Sequence, residues 1–394
     1  MEKKKVLAIN LGWEQEPLLD KLSEYNIDLY GVHYNDNYYK KINYKGLLIT
    51  DIRDIHLILD FADKIKPDAV ISDQCDYSNF VQSLISEKHN LPGPRTEAAQ
   101  VSSNKLIQRN VAQKTGVLIP AFSEVRTIND VEQFAEIHKF PIIIKPADNR
   151  GSFGVTKIEN TGQISPAFYS AIINSHSRIM VVEKFIDGFE ITVDGYCFNK
   201  KPVSLSLAKK GKPNDKLQVS VDIKYPGELD SALYDKAIKN NEFVNLSLGY
   251  NFGMTHSEYI VTPKGELYLV ESANRGGGVF TSEIIVPSVS GVDILTKYVE
   301  DCLGIENKIL PIIIEKNDVI LKFFTFKSGQ IKKIHGLEAF GDPSVLKARL
   351  AVSEGDTINP ISNDANRHGF VIVSDKNVRK KAESIINSIS IEYY

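Results

Sequence analysis

Residues 258–278 read EYIVTPKGELYLVESANRGGG, a stretch that can fold in few ways. Two runs of Ile, Val, Leu and Tyr flank Thr262-Pro263-Lys264-Gly265, a turn-forming tetrapeptide, and together predict a β-hairpin. Glu258 opens the first run and Glu271 closes the second; Asn274 follows, then Arg275 and three glycines. Hairpin pairing sets two carboxylates and an amide side by side. These are hard oxygen donors, the kind that Mg²⁺ carried by a nucleoside triphosphate needs. Glu271 ends an apolar run, where an unpaired carboxylate is costly. Strict alternation puts Leu267, Leu269 and Glu271 on one face. A strand-end glutamate in a surface ion pair is the weaker reading, because oxygen donors and an arginine converge in one hairpin. The stretch points to chemistry on ATP.

The rest of the composition bounds this reading. The chain has 394 residues, enough for two or three domains, and its formal net charge of −3 gives no sign of a nucleic-acid or anionic-membrane partner. The lysine run at residues 3–5 is followed by too short an apolar stretch for a signal peptide or membrane span. Cys75, Cys197 and Cys302 are scattered, which predicts buried thiols in a reducing cytoplasm, not a zinc site or disulfide framework. The histidines other than His256 lack metal-ligand spacing, and no Ser-His-Asp arrangement can be argued.

An apolar run at 4–10, a helical pattern at about 15–25, strand-like runs at 29–33, 47–50 and 69–72, and an amphipathic helix at 55–65 predict a small open parallel α/β sheet over roughly the first hundred residues. Gly12 stands alone, so no dinucleotide fingerprint is present. Leu91-Pro92-Gly93-Pro94 is a break, and a helix is predicted at 103–115 with Ser102 or Ser103 as cap. Further helices are predicted at 130–138, 234–248 and 292–303, and strands at 140–146, 180–185 and 190–198. Residues 202–226 read as a basic, polar loop containing Lys209, Lys210, Lys212, Asp215 and Lys216. Beyond Pro311, runs at 319–326 and 330–335 predict an antiparallel pair turned at Ser328-Gly329; a strand at 370–374 and a helix at 377–389 complete a separate small α+β lobe.

Lys145 ends the apolar run FPIIIKP, and Arg150-Gly151-Ser152-Phe153-Gly154-Val155 follows. A lysine at a strand end offers a fixed cation, and a Gly-Ser-x-Gly loop lets backbone N–H groups approach an anion. Singly, this reads as an ordinary turn with a solvent-facing lysine; it is not a Walker loop. Glu183-Lys184-Phe185-Ile186 can present backbone groups to a nucleobase, and Glu190 can accept from ribose hydroxyls, although a solvated turn describes Glu190 alone better. Arg275 suits a carboxylate or phosphate. His256 is two residues before Glu258 on the same strand face, equally suited to a phosphate contact or a structural role.

In order and spacing these pieces resemble the ATP-grasp superfamily. The likeness covers about 90–300 and rests on Lys105, IIIKP, RGSFGV, VEKFIDGFEITVDGY, HSEY and LVESANRGGG. Within it the chain looks most like carboxylate–amine ligases of the L-amino-acid ligase type. The resemblance implies an ATP-grasp fold, mixed α/β and α+β: an N-terminal α/β domain at 1–95, an ATP-binding lobe pair at 96–308 (small lobe about 115–187, large lobe about 188–308) and a C-terminal α+β lobe at 309–394. It implies that Lys105 and Lys145 hold ATP phosphates under a loop of Gly151, Ser152 and Gly154. Glu183, Lys184, Phe185 and Ile186 would take the adenine and Glu190 the ribose. Glu258, Glu271 and Asn274 would bind two Mg²⁺ ions, or Mn²⁺, and Arg275 would hold the acyl phosphate or a substrate carboxylate. Phe153 departs from the small, basic or polar residue common among relatives. The expected reaction joins a small carboxylate, such as an amino acid, to an amine through an acyl phosphate, with Arg275, Lys145 and His256 as catalytic residues. Dimers are common among such relatives. Two other functions compete. One is a bicarbonate-phosphorylating enzyme like biotin carboxylase or carbamoyl-phosphate synthetase, whose carrier or ammonia module is lacking here. The other is a non-catalytic ATP-binding protein.

Overall fold

The protein is described by a computed structural model that covers residues 3–211, 220–306, 318–361 and 363–394. Val6, Leu7, Ala8 and Ile9 are all buried, so Lys4–Ile9 (β1) is apolar on both faces, as a central parallel strand must be. It pairs with Ile27–His33 (β2) and Ala69–Ile71 (β4), and Gly46–Ile49 (β3) extends the sheet, giving the order β3-β2-β1-β4, all parallel. Glu16–Ser23 (α1), Ile55–Ile65 (α2) and Asp76–Lys88 (α3) complete this α/β unit.

Two helices lead to the cleft. Thr96–Ser103 (α4) is followed directly by Lys105–Thr115 (α5). The cap of α5 is Asn104, whose Oδ1 accepts from the amides of Leu106 and Ile107 at 3.0 and 3.1 Å. The expected caps, Ser102 or Ser103, instead lie at the end of α4, where the Ser103 hydroxyl donates to the Ala99 carbonyl at 2.8 Å. The result is that Lys105 opens a helix rather than sitting within one.

A small antiparallel sheet, ordered β5-β8-β6-β7, comes next: Phe122–Val125 (β5), Ile142–Pro146 (β6), Thr156–Ile158 (β7) and Met180–Lys184 (β8). Ile128–His138 (α6), begun by a Thr127–Asp130 capping box, and Ile164–Ile173 (α7) cover one face, where Val131, Phe134, Phe168, Ile144 and Val182 form its core. The other face is left for the cleft.

The large sheet runs β13-β12-β9-β10-β11-β14-β18-β16. Its strands are Phe189–Phe198 (β9), Lys201–Gly211 (β10), Asp222–Tyr225 (β11), Met254–Val261 (β12), Leu267–Ala273 (β13), Asp318–Phe323 (β14), Val345–Leu350 (β16) and Gly369–Asp375 (β18). Ser231–Ser247 (α8) packs Ala237 and Val244 against Ile191, Val193, Tyr259 and Leu269 on one face. Val286–Ser290 (α9) and Ile294–Cys302 (α10) follow β13, and α10 packs onto the first sheet through Leu295, Tyr298 and Val299.

Two expectations fail here. Lys209 and Lys210 are not in a loop: they end β10, paired with Lys224 and Ile223 of β11. Lys212, Asp215 and Lys216 lie outside the described residues. The predicted hairpin of 319–326 with 330–335 does not form either. Val319, Ile320 and Leu321 are all buried, so both faces of β14 are covered, and its edges pair with β11 and β18 of the large sheet. Gly329–His335 (β15) pairs instead with Thr357–Ile358 (β17) and Ser390–Tyr393 (β19). The last segment, closed by Val378–Ser388 (α11), is therefore joined to the preceding lobe through a shared sheet. The three cysteines are buried and free, as expected.

Candidate functional site

The predicted hairpin forms as β12 and β13, but with one extra residue. Glu258 lies opposite Glu271, while Tyr259 lies opposite Leu269, so Val270 is a β-bulge. The bulge reverses the alternation. Leu267 and Leu269 face the core under α8, whereas Tyr268, Val270 and Glu271 face a cleft. The expectation that Leu267, Leu269 and Glu271 share a face is thus corrected: the inserted residue turns the carboxylate out of the core and into the open.

That cleft, of about 500 Å³, lies between the small sheet and the large one. Lys105, Lys145, Glu183, Glu190, Glu258 and Glu271 all line it, as do Gly151, Ser152 and residues 184–186. Lys105 Nζ is 3.1 Å from Glu271 Oε2 and donates to the Asn149 carbonyl at 2.7 Å. Lys145 Nζ is 2.8 Å from Glu183 Oε2, and Glu183 Oε1 is 2.7 Å from Nε of Arg109, a residue the sequence did not single out. Burial opposes the Glu183 charge, yet Arg109 and Lys145 outweigh it and hold the carboxyl below its usual range. Burial, aided by the charges of Arg109 and Lys105, draws the Lys145 ammonium down to about 8 despite Glu183. Lys145 is therefore not the solvent-facing lysine of an ordinary turn.

Gly151, Ser152 and Gly154 all have left-handed backbone, with φ of 63°, 62° and 70°. A Cβ on Gly154 would stand 3.0 Å from the Ser170 carbonyl, so this turn tolerates no side chain there without adjustment. In the 183–186 linker, the amides of Lys184 and Phe185 donate to Ala121 and Pro141 carbonyls within the small lobe. The Glu183 side chain serves the Arg109–Lys145 cluster.

On the opposite wall, Glu258 Oε1 is in an ion pair with Lys210 and is 3.4 Å from His256 Nε2. His256 Nδ1 is 2.6 Å from Asp194 Oδ1. Burial disfavours the imidazolium, yet Asp194 on one nitrogen and Glu258 on the other push it up to about 9. Folded His256 thus holds its proton above the ordinary value of 6.5, so its stabilising contribution is complete below pH 6.5 and is lost as pH rises through about 9. Accordingly, the stability difference between the wild type and His256→Gln should be largest near pH 6 and vanish above about pH 9. Thermal unfolding across that range checks this; a pH-independent difference would contradict the paired imidazolium.

Asn274 is not brought to this cleft. Its amide donates to the Phe252 and Met254 carbonyls at 2.8 and 3.1 Å, on the strand face opposite Glu271. Arg275 lies at the cleft's end, where its Nε and Nη2 grip the Asp76 carboxylate of α3 at 2.7 and 3.1 Å. Among the described residues it shares a small hollow with Tyr77, Lys105, Arg150 and Glu271. The three glycines are no slack loop. Gly276 N donates to Asp73 Oδ1 at 2.6 Å, and a Cβ on Gly277 would meet His256 Nδ1 at 2.8 Å.

Sequence reasoning missed Arg109, Asp194 and Asp76, and placed Lys210 in a loop. Arg109 alone carried a signal, its position four residues after Lys105 on one helix face.

Two carboxylates stand directly opposite each other, an arrangement that repels unless neutralised. Lys105 and Lys210 now do this. The donor set is all oxygen and suits Mg²⁺, but among the described residues no group of three His, Cys, Asp or Glu could hold an ion alone. The residues present therefore fit a metal that brings its remaining oxygen ligands with it, as a polyphosphate-bound ion does.

Comparison with known proteins agrees with this geometry. The ATP-grasp domain profile matches residues 138–283, spanning the glycine loop, the 183–190 linker and the whole hairpin. Over those residues the chain carries an ATP-grasp domain. Residues 322–394 match the L-amino acid ligase C-terminal domain 2. In solved structures, the L-amino acid ligase from Bacillus licheniformis superposes with a TM-score of 0.84 over 100% of both chains at 19% identity, which establishes the shared fold. A D-alanine–D-alanine ligase of Parabacteroides distasonis is 27% identical over 212 residues, 50% of this chain and 63% of that protein. An L-arginine-specific L-amino acid ligase of Bacillus subtilis is 22% identical over 246 residues, 60% of this chain and 59% of that protein. The chain thus spans less than two thirds of the length of these curated relatives. Among its described residues no helix is long and apolar enough to cross a membrane.

Proposed function

We propose that this ATP-grasp chain is an ATP-dependent ligase that joins a small carboxylate, an amino acid in the first instance, to an amine. The observation that carries this reading is the convergence on one cleft of Lys105, Lys145 and the 151–154 loop from one side with Glu258 and Glu271 from the other. Nothing in the reaction requires a side-chain nucleophile. A carboxylate oxygen of the substrate attacks the γ-phosphorus of ATP, the bond to ADP breaks, and an acyl phosphate forms. An amine then attacks the acyl carbon, phosphate leaves with the electron pair, and the nitrogen loses a proton.

The chain's own groups bind and orient. Lys105 and Lys145 take phosphate oxygens, and Glu190 is suited to the ribose. Bound Mg²⁺, one ion or two, supplies charge neutralisation to the polyphosphate, held by Glu258 and Glu271. Asn274 keeps its Nδ2 on the Phe252 and Met254 carbonyls, which leaves its Oδ1 as the atom that could join that set. Arg275 faces the hollow beside Glu271, where a substrate carboxylate would enter. The glycine loop would close to keep water from the acyl phosphate. The reading includes a cytoplasmic setting and a homodimer, the latter open to sedimentation velocity.

A screen of amino acids in pairs, scored by phosphate release and product mass, tests it. The expected result is phosphate release that depends on at least one amino acid and yields a product one water lighter than the sum of its parts. ATP turnover stimulated by bicarbonate alone would favour carboxylase-type chemistry instead, and ADP binding without turnover on any pair would reduce the chain to a nucleotide binder.

A further inference from the structure

Arg109 is the largest fully buried side chain of the described residues that carries a charge, and it does not line the cleft. It reaches three separate parts of the fold. It stands on α5, four residues after Lys105 and so on the same helix face. Its Nε bonds Glu183 Oε1 on β8 at 2.7 Å, and its Nη2 donates to the Val270 carbonyl, the bulged residue of β13, at 2.6 Å. Beside it Gln108 donates to the Ser272 carbonyl at 2.6 Å and accepts from the Ser272 amide at 3.0 Å, clamping the strand just past Glu271. The planar fork of an arginine holds a carboxylate and a carbonyl in two fixed directions from separate nitrogens, which the single nitrogen of a lysine does not.

Resting on the ligase reading above, we propose that Arg109 is a positioning residue for phosphoryl transfer. Through Glu183 it orients the Lys145 ammonium, and through Val270 it holds the bulge that turns Glu271 into the cleft. The charged groups around Lys145 are Glu183 on β8 and Arg109 and Lys105 on α5. Arg109 is close enough to weigh on the Lys145 proton, and its guanidinium keeps its charge throughout the working pH range.

The test follows Lys145 itself. Competitive acetylation with acetic anhydride, read by mass spectrometry across pH 6–11, gives the titration of that one lysine, and calorimetry with ADP gives binding. Wild-type Lys145 should titrate near 8. In Arg109→Gln its titration should move up by about one pH unit or more, since a like charge is gone and Glu183 is left to Lys145 alone. ADP affinity should fall about tenfold or more as the ammonium and the bulge lose their anchor. Arg109→Lys keeps the charge and should leave the Lys145 titration near that of the wild type. An unmoved titration in folded Arg109→Gln overturns the proposal. Should that variant not fold, wild-type Lys145 titrating above 10, or Arg109→Lys shifting it as far as a neutral residue is expected to, overturns it equally. Wild-type protein that fails to bind ADP, with Lys145 behaving as expected, would sink the ligase reading and spare the Arg109–Lys145 coupling.

Discussion

Replacing Glu271 with alanine is expected to cut amino-acid-dependent ADP release by at least about a hundredfold while leaving the protein folded, the magnitude typical of losing one preorganised electrostatic contact in a dry site. The two halves of that expectation have different sources. Stability should change little. Glu271 is about one third exposed, and its partner is a single lysine at 3.1 Å, a pair worth about 1 kcal/mol or less once solvent screening is counted. Its removal also relieves the repulsion of Glu258, its directly opposed neighbour. Activity should collapse, because Glu271 is one of two carboxylates facing the hairpin side of the cleft on which a polyphosphate-bound ion could rest. Freed of Glu271, Lys105 keeps its bond to the Asn149 carbonyl and remains near the phosphate position, so ATP affinity should fall less than turnover. Steady-state kinetics beside a thermal melt separate these effects. Turnover like the wild type would remove Glu271 from the phosphoryl-transfer site.

Glu183→Gln should have the opposite profile, a large loss of stability. Glu183 is the shared anion of Arg109 and Lys145, whose side chains are 0% and 6% exposed. Without it two buried cations face each other uncompensated, and breaking a buried ion pair from one side costs about 3–5 kcal/mol. Lys145 can discharge by releasing its proton; Arg109 cannot. The variant's Lys145, without Glu183 to hold its proton, gives it up below the wild-type value of about 8, so the loss should shrink as pH rises towards about 8 and level off above it. Lys145→Met removes a cation instead and leaves Glu183 paired with Arg109, so it should cost clearly less. Denaturant unfolding of both variants at pH 7 and 9 measures the contrast. Equal losses at both pH values would contradict the shared-anion geometry.

Sequence patterning was a good guide where burial and periodicity coincide. The helix at Ile55–Ile65 and the hairpin around Thr262–Gly265 follow from apolar spacing and turn chemistry alone. It failed where one residue or one distant partner decides. A single bulged residue, Val270, reversed which side chains of β13 face the cleft, and nothing in a run of apolar residues announces a bulge. The contacts of Asn274 were equally illegible, because the Phe252 and Met254 carbonyls that hold its amide nitrogen belong to the preceding strand and its approach. Lys209 and Lys210 looked like a loop because polar residues on a strand facing a charged cleft lack an apolar alternation. Arg109 was not singled out, since its partners Glu183 and Val270 are far away in sequence. The pair of 319–326 with 330–335 was a local guess undone by long-range pairing, β14 being claimed by β11 and β18. The opposition of Glu258 and Glu271, by contrast, was legible from the turn between the two strands.

The account's central claim is that a substrate carboxylate is phosphorylated by ATP before an amine displaces the phosphate. It is tested most directly by supplying a mixture of amino acids labelled with ¹⁸O in their carboxylates and weighing the phosphate released. Transfer of one ¹⁸O into phosphate for each ADP formed is the predicted result, because the attacking oxygen leaves with the phosphoryl group. Amino-acid-dependent ADP release with unlabelled phosphate would contradict it.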